Sequence, residues 1–357
     1  MCRTRIRPGS FTGMSDVTIF APSPILTVTV ENSGDADEIH IHAGGQGVWQ
    51  ARMLRRLGVS VTMCCSLAGE AGQVIRHLLE DDGMTVVGVE RPGRASAYVQ
   101  DRRGGERAEI GTEVGDPIAR HELDELYGAV IREGMRSGVV ILSGPADDDV
   151  LPPDTYRRLA ADLREAGCTV VVDLAGERLD AALEGGVDLL KVSDEEMRAH
   201  GLDEDSPDAL AAAMHSLRSR GAGTVIVTRA SEPLLLLDEQ GLLEVAPPRL
   251  EVVDSAGAGD SLTAGVVAGM VRGEPPRDAI TLGAAAGALN VTRHGLGTGD
   301  ADAIAELRGR IRVSVPGEDD DGGSMGVSPD GLAGLIETPR REAPGAETPR
   351  TESEGER

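Results

Sequence analysis

The sequence contains very few aromatic side chains: two Phe, three Tyr and one Trp, or 2% of its 357 residues. A hydrophobic core therefore has to be built from aliphatic side chains, and apolar types as a whole make up 40% of the chain. The length is sufficient for one large domain or two modest ones. We expect a globular protein with an aliphatic core.

Cationic side chains are also scarce. The chain has 35 Lys and Arg against 60 Asp and Glu, a net charge of −25, and Lys191 is its only lysine. Binding to a phosphate backbone requires clustered cations, so nucleic acid is not an expected partner. No apolar run reaches the roughly 18 to 20 residues that a membrane helix requires, so we expect no association with a membrane.

Cysteine is rare in this chain. The four cysteines show no C-x-x-C spacing, and a chain of this length does not need disulfides, which favours a reducing cytoplasm.

Both ends of the chain lack the features of a folded or exported segment. Residues 1–13 lack the apolar segment of a secretory signal, and we interpret them as disordered or as a mis-assigned extension. Residues 316–357 are acidic, repeat Glu-Thr-Pro-Arg and are predicted to be a disordered tail.

Two common nucleotide-binding signatures, G-x-x-x-x-G-K-[ST] and G-x-G-x-x-G, are absent. The chain instead contains Asp254-Ser-Ala-Gly-Ala-Gly-Asp260 at the start of a small-residue segment. Gly257, Ala258 and Gly259 allow the backbone to approach a ligand, and the following helix would direct free N–H groups at an anion. Asp260 adds a carboxylate, which favours a base beside bound phosphate. The alternative is that Asp260 only caps the helix.

Apolar segments and helical segments alternate regularly after His121, which predicts a mostly parallel sheet covered by helices on both faces. Two hairpin-like pieces precede this pattern and predict a small separate sheet that closes over a ligand, with strands within about 17–45 and 85–112. Segments 261–272 and 277–292 consist almost entirely of Ala, Gly, Val and Leu, and we expect them to pack tightly behind the 254–260 loop. The predicted domain spans residues 14–315.

Ligands of parallel α/β sheets bind at the carboxyl ends of the strands. Ser143, Asp173, Lys191 and Thr228 each end an apolar segment, so we expect their side chains to face this crevice.

The motifs resemble those of the PfkB-type carbohydrate kinases of the ribokinase-like fold, over roughly residues 17–315. Asp254–Asp260 resembles the family signature D-T-x-G-A-G-D, and Ala43-Gly-Gly-Gln-Gly47 resembles G-G-K-G. The 1-phosphofructokinase and tagatose-6-phosphate kinase branch is the most similar. The resemblance implies ATP- and Mg²⁺-dependent transfer of the γ-phosphoryl group to a hydroxyl of a sugar or sugar phosphate.

The same resemblance assigns roles on the phosphoryl side. Asp260 would be the base, and the N–H groups of Ala256, Gly257, Ala258 and Gly259 would form the anion hole. The family element N-x-x-E falls on Ser193–Glu196, so that Glu196 would contact magnesium through water. The nucleotide-binding residues implied are Lys191, Ser193, Thr228, Arg229 and Asn290.

The acceptor side departs from the family pattern. The substrate-binding residues implied are Thr27, Gly44, Gly45, Gln46 and Trp49, and Arg94 or another arginine of the predicted lid could add a phosphate contact. Thr27 stands where the family has Asp, Gln46 where it has Lys and Trp49 where it has Asn, and a neutral Gln lacks the charge-assisted phosphate contact of Lys.

The identity of the phosphoryl acceptor therefore stays open. Two alternatives to a sugar kinase remain: a nucleoside or small-alcohol kinase of the same fold, which Trp49 would favour, or a catalytically weak metabolite-sensing relative. Exposed edges of the small sheet favour a homodimer.

Overall fold

The computed structural model describes residues 16–34, 36–104, 108–199, 207–230, 232–293 and 295–316. The predicted extension at 1–13 and the acidic tail, apart from residue 316, lie outside the described residues.

Strands and helices of the described residues are numbered here in chain order. The strands are β1 (Val17–Phe20), β2 (Ile25–Ser33), β3 (Ala36–Gly44), β4 (Val61–Ala68), β5 (Thr85–Arg91), β6 (Ala97–Asp101), β7 (Ala108–Glu113), β8 (Val139–Ser143), β9 (Thr169–Asp173), β10 (Val187–Ser193), β11 (Ala222–Arg229), β12 (Glu232–Asp238), β13 (Gly241–Ala246) and β14 (Arg312–Ser314). The helices are α1 (Gln46–Arg56), α2 (Gly69–Asp81), α3 (Arg120–Ser137), α4 (Asp154–Glu165), α5 (Gly176–Gly185), α6 (Asp194–Ala199), α7 (Pro207–Ser219), α8 (Ala258–Val271), α9 (Pro276–Asn290) and α10 (Ala301–Arg308).

The main sheet has the strand order β14-β13-β12-β11-β10-β9-β8-β1-β4-β5. The strands from β11 to β5 in this order are all parallel, whereas β12, β13 and β14 are antiparallel additions at one edge. The parallel strands read as unbroken apolar runs because helices cover both faces. The predicted fold class, a mostly parallel sheet flanked by helices, is confirmed, and the antiparallel edge was not anticipated.

Two hydrophobic clusters lie on opposite faces of the main sheet. One cluster joins the sheet to α1, α2, α8, α9 and α10, and the other joins it to α3, α4, α5, α6 and α7. Aliphatic side chains dominate both, as the composition requires. No helix in the described ranges is long and apolar enough to cross a membrane.

Helices α8 and α9 pack backbone against backbone. A Cβ atom on Gly265 would lie 2.7 Å from the Cα atom of Gly283, and one on Gly283 would lie 2.7 Å from the carbonyl oxygen of Leu262. The small-residue composition of the two segments is therefore a packing requirement. This contact fixes α8, which begins at the 254–260 loop.

The small separate sheet, which we call the lid, has the strand order β3-β2-β6-β7. Two strands that fall within the predicted lid windows, β1 and β5, pair in the main sheet instead, and β7 runs one residue past the second window.

The two lid faces differ in chemistry. Thr27 and Thr29 are buried, and this face continues to Arg102, whose guanidinium reaches the carboxylate of Asp254 at 3.5 Å. The opposite face carries Val28 and Val30 beside their direct partners on β3, Ile41 and Ile39. Those two isoleucines are 53% and 65% exposed. The polar face of the lid is thus turned toward the 254–260 loop and its apolar face toward solvent.

Candidate active site

The carboxyl ends of β8, β9 and β10 bring three polar side chains to one edge of the sheet. Ser143 is level with Asp173, and Asp173 is level with Lys191. The Lys191 Nζ donates to Asp173 Oδ1 at 3.2 Å, and the two side chains are 8% and 1% exposed. The expectation that these strand ends meet in one crevice is therefore met for the three residues.

Asp260 lies in the first turn of α8 and does not cap it. The residue in the cap position is Gly257, whose φ of 72° is in the left-handed region that favours glycine. The Asp260 carboxylate is buried and accepts a hydrogen bond from the side chain of Gln50 at 3.3 Å. The cap interpretation is wrong, because the carboxylate points to the strand ends.

Gln50 is a site residue that the motifs did not identify. Its Nε2 donates to Asp173 Oδ2 at 3.0 Å as well as to Asp260 Oδ1, and its Oε1 accepts from the Ser143 hydroxyl at 2.6 Å. The sequence of α1 contains a sign of this role. A polar Gln occupies the buried face of the helix, which otherwise holds residues such as Val48, Ala51 and Leu54.

Burial and charge set the protonation of this cluster. Burial, and then the charge of Asp173, raise the pKa of Asp260, while Lys191 and the hydrogen bond from Gln50 oppose the rise. For Lys191, burial acts to lower the pKa, but the carboxylates of Asp173, Glu196 and Asp260 outweigh it and raise the pKa. The site therefore holds one firm cation and a carboxylate of increased basicity.

A raised pKa in the folded state makes the ionised Asp260 a cost to stability. The folded protein binds a proton at Asp260 more tightly than the unfolded chain does. The contribution of Asp260 to the free energy of unfolding therefore falls as pH rises from about 4 toward the raised pKa. We expect Asp260→Asn to increase the free energy of unfolding at pH 7 to 8 by on the order of 1–3 kcal/mol. Thermal melts of both proteins between pH 5 and 8.5 measure this, and an advantage that does not grow with pH would contradict it.

In the anion loop, residues 254–259, two of the four N–H groups predicted to form the anion hole already have an acceptor within the chain. Ala256 N–H donates to Asp254 Oδ1 at 3.0 Å and Ala258 N–H to the Ser255 carbonyl at 3.3 Å. The N–H groups of Gly257 and Gly259 have no acceptor within the described part of the chain. A Cβ atom on Gly259 would lie 2.7 Å from Lys191 Nζ, so the only lysine lies directly beside this loop.

Asn290 and Arg102 hold the anion loop in place. The Asn290 amide donates to the Ala256 carbonyl at 2.7 Å, and its oxygen accepts from the Ser261 hydroxyl and from Gly297 N–H. Asn290 was predicted to bind nucleotide, but its side chain braces the loop. Arg102 adds a contact from the lid through Asp254.

The other predicted nucleotide-binding residues lie at the ends of β10 and β11. Thr228 is level with Ser193. The Arg229 guanidinium is occupied by the Pro233 carbonyl at 2.6 Å and by Glu244 at 3.6 Å, so it stabilises the β11–β12 turn.

Glu196 fits the predicted contact with magnesium through water. Its Oε2 accepts from the Ser193 N–H and hydroxyl at 2.7 and 2.8 Å, while Oε1 has no donor among the described residues. No group of three or more His, Cys, Asp or Glu within the described ranges is arranged to hold a metal by itself.

A cavity of about 200 Å³ opens between the β1–β2 turn, the start of α1 and the residues after β8. Four of the predicted substrate-binding residues line it: Gly44, Gly45, Gln46 and Trp49. None of its described lining residues is charged. The Gln46 oxygen accepts from Gly144 N–H at 2.8 Å, and the buried Trp49 Nε1 has no partner among the described residues.

The two remaining predicted substrate residues do not line this cavity. Thr27 is buried in the lid, where its hydroxyl lies close to Gly44. Arg94 is largely exposed and pairs with Asp116 at 3.1 Å and with Glu113 at 3.7 Å. Its charge is therefore already balanced by carboxylates.

Comparisons with known proteins identify the family. Residues 16–303 match the family described as pfkB family carbohydrate kinase. A 1-phosphofructokinase from Bacillus subtilis is 28% identical over 277 residues, which cover 76% of this chain and 88% of the relative.

Two solved structures share the fold. The tetrameric inhibited form of phosphofructokinase-2 from Escherichia coli has a TM-score of 0.72 at 22% identity, covering 83% of this chain and 99% of that chain. The ribokinase from Arabidopsis thaliana, complexed with ribose and ATP, has a TM-score of 0.62 at 19% identity, with the same coverage. The family resemblance and the ribokinase-like fold are thus confirmed.

Proposed function

The chain belongs to the pfkB family of carbohydrate kinases, and on that premise we propose that it transfers the γ-phosphoryl group of ATP to a hydroxyl of a sugar or sugar phosphate. The observation that carries the proposal is the position of the Asp260 carboxylate, buried beside the free N–H groups of Gly257 and Gly259 and close to Lys191. A base, an anion hole and a fixed cation are the parts that phosphoryl transfer requires.

In the proposed reaction, Asp260 takes the proton of the acceptor hydroxyl as the oxygen forms a bond to the γ-phosphorus. The bond from that phosphorus to the β–γ bridging oxygen breaks, and ADP leaves. The N–H groups of Gly257 and Gly259, with the Lys191 ammonium, stabilise the charge on the transferred group. Magnesium, when bound, neutralises charge on the phosphates, and Glu196 would hold one of its waters.

The acceptor is a sugar or sugar phosphate, as the name of the Bacillus subtilis relative suggests. A second candidate, a nucleoside or other small alcohol, is favoured by the uncharged cavity and by Trp49, whose aromatic face can stack on a ring. A cytoplasmic location belongs to the same proposal, because Cys64, Cys65 and Cys168 are free thiols and a reducing compartment keeps thiols free.

An ADP-release assay with Mg²⁺ and ATP, run over sugars, sugar phosphates and nucleosides, tests the proposal. At least one acceptor should raise ADP release well above the background without acceptor, and the Asp260→Asn variant should abolish that increase. If no acceptor exceeds the background, the kinase proposal fails in favour of the metabolite-sensing alternative.

We further propose that two copies associate through the apolar faces of their lids. The exposed Ile39 and Ile41 on β3 and the half-buried Val28 and Val30 on β2 form a continuous apolar patch, and apolar patches at the surface mark protein interfaces. The Escherichia coli relative of the same fold has a tetrameric form.

Ile41→Glu should convert the dimer to a monomer, because a charge would be buried without a partner at the centre of the patch. Size-exclusion chromatography with light scattering at micromolar concentration measures the mass. The matched control is Met135→Glu on α3, where a side chain that is 58% exposed lies outside the lid, against 53% for Ile41. A monomeric wild-type protein would contradict the proposal.

A further inference from the structure

Helix α1 lines the uncharged cavity, called here the acceptor cavity, through Gln46. The same helix contacts the candidate base, Asp260, through Gln50. Gln46 and Gln50 are one helical turn apart in α1 and lie on the same face. Both reach the end of β8: Gln46 accepts from Gly144 N–H at 2.8 Å and Gln50 accepts from the Ser143 hydroxyl at 2.6 Å. Gln50 then extends to Asp173 and Asp260.

We propose that Gln50 is a positioning residue for phosphoryl transfer, whose amide N–H groups hold the Asp260 carboxylate in a single orientation. The inference rests on the proposed function, in which Asp260 is the base. With Oδ1 held by the amide, Oδ2 is the oxygen left to receive the proton of the acceptor hydroxyl. The residue couples the helix at the acceptor cavity to the base on α8.

The orientation of the Gln50 amide is fixed by its surroundings. An amide nitrogen carries two hydrogens, and here one is donated to Asp173 Oδ2 and the other to Asp260 Oδ1. The distances from Nε2 to these oxygens are 3.0 and 3.3 Å. A flip of the amide would place its oxygen against two carboxylates and remove the acceptor of the Ser143 hydroxyl. Ser143 therefore holds the N–H groups toward the base.

Charged groups face Asp260 from three elements: Asp173 from β9, Lys191 from β10 and Glu196 from α6. The neutral Gln50 is the donor that lies between the two carboxylates of Asp173 and Asp260. Without it, Asp173 keeps the Lys191 ammonium and the Thr263 hydroxyl as donors, whereas the Asp260 carboxylate loses the donor that Gln50 supplies. The protonated form of Asp260 then becomes more favourable. The acid limb of the pH profile of kcat/KM should then move to higher pH.

The test compares Gln50→Leu with the wild-type protein, each with the best acceptor found in the screen. We expect kcat to fall roughly ten- to a hundredfold, the ratio that loss of one hydrogen bond to a charged group produces. The acid limb should shift to higher pH, and the KM for ATP should be unchanged. A melting curve of the variant establishes that it is folded.

Gln50→Met keeps the length of the side chain without a donor or a charge, so it should show the same two changes even where the Leu variant fails to fold. Adding Asp173→Asn to Gln50→Leu removes the repelling carboxylate and should return the acid limb toward lower pH. The matched control, Gln100→Leu, removes a buried glutamine bonded to Thr29 in the lid and should leave the acid limb in place.

Each outcome has a separate meaning. If Asp260→Asn retains activity, the proposed base is wrong, whatever Gln50 does. If Asp260→Asn is inactive and the Gln50 variants keep the wild-type pH profile, the positioning role is overturned and the proposed function stands. A lower melting temperature without a shifted acid limb makes Gln50 a structural residue only, which also overturns the inference.

Discussion

Asp260→Asn is expected to lower kcat by about 10²–10⁴-fold, the contribution of a general base, while ATP affinity stays within about twofold. Asn matches the shape of Asp and can still accept the hydrogen bond from Gln50, but it cannot take up a proton. The N–H groups of Gly257 and Gly259 and the Lys191 ammonium remain available to ATP. Steady-state ADP release measures turnover, and titration calorimetry measures nucleotide affinity.

The control for this prediction is Asp254→Asn, which changes the other carboxylate of the same motif. Asp254 accepts from Ala256 N–H at 3.0 Å and contacts Arg102, so its loss should loosen the anion loop and cost less than about tenfold in kcat. If Asp260→Asn stays within tenfold of the wild-type kcat, the assignment of the base is wrong. The higher stability expected of Asp260→Asn at neutral pH shows independently that an inactive variant is folded.

Gly265→Val is expected to lower the free energy of unfolding by about 3 kcal/mol or more, at the upper end of the range for overpacking. The added Cβ would lie 2.7 Å from Gly283 Cα and 2.8 Å from the Leu282 carbonyl oxygen. These atoms belong to the backbone of α9 and cannot turn aside, so the two helices have to separate. Denaturant unfolding at neutral pH measures the change.

Gly128→Val in α3 is the matched control, since a Cβ atom there meets no atom within 4 Å. Val has a higher helix propensity than Gly, so this variant should be neutral or more stable by up to about 0.5 kcal/mol. Equal losses in the two variants would refute the claim that the α8–α9 contact requires glycine. Because α8 carries Asp260, Gly265→Val should also reduce kcat when it folds.

The fold was largely predictable because buried parallel strands are apolar throughout and alternate with helices. The antiparallel strands β12 and β13 were missed, since Leu234–Leu237 is the same kind of apolar run and contains no sign of its direction. The predicted lid windows also contain two strands of the main sheet, for a related reason. β1 and β5 are short strands like those of the lid, and their pairing with β4 depends on contacts that a local pattern does not contain.

The site was predictable where a motif or a strand end marked a residue, as for Asp260, Asp173 and Lys191. Gln50 was missed because its contact with Asp260 spans 210 residues of sequence. Asn290 and Arg229 do lie near the predicted region, yet their side chains bond to neighbouring backbone carbonyls. A motif fixes which residues approach a site, whereas the hydrogen bonds in the folded chain decide which of them remain available to a ligand.

The position of the only lysine also makes the chain sensitive to one particular protease cut. A lysine-specific endoprotease can cleave a single peptide bond, after Lys191, and produce fragments 1–191 and 192–357. That bond lies in β10, between β9 and β11, so it becomes accessible only when the middle of the sheet opens. The cleavage rate therefore reports the population of that open state, and any ligand that binds the closed site slows it in proportion to its occupancy.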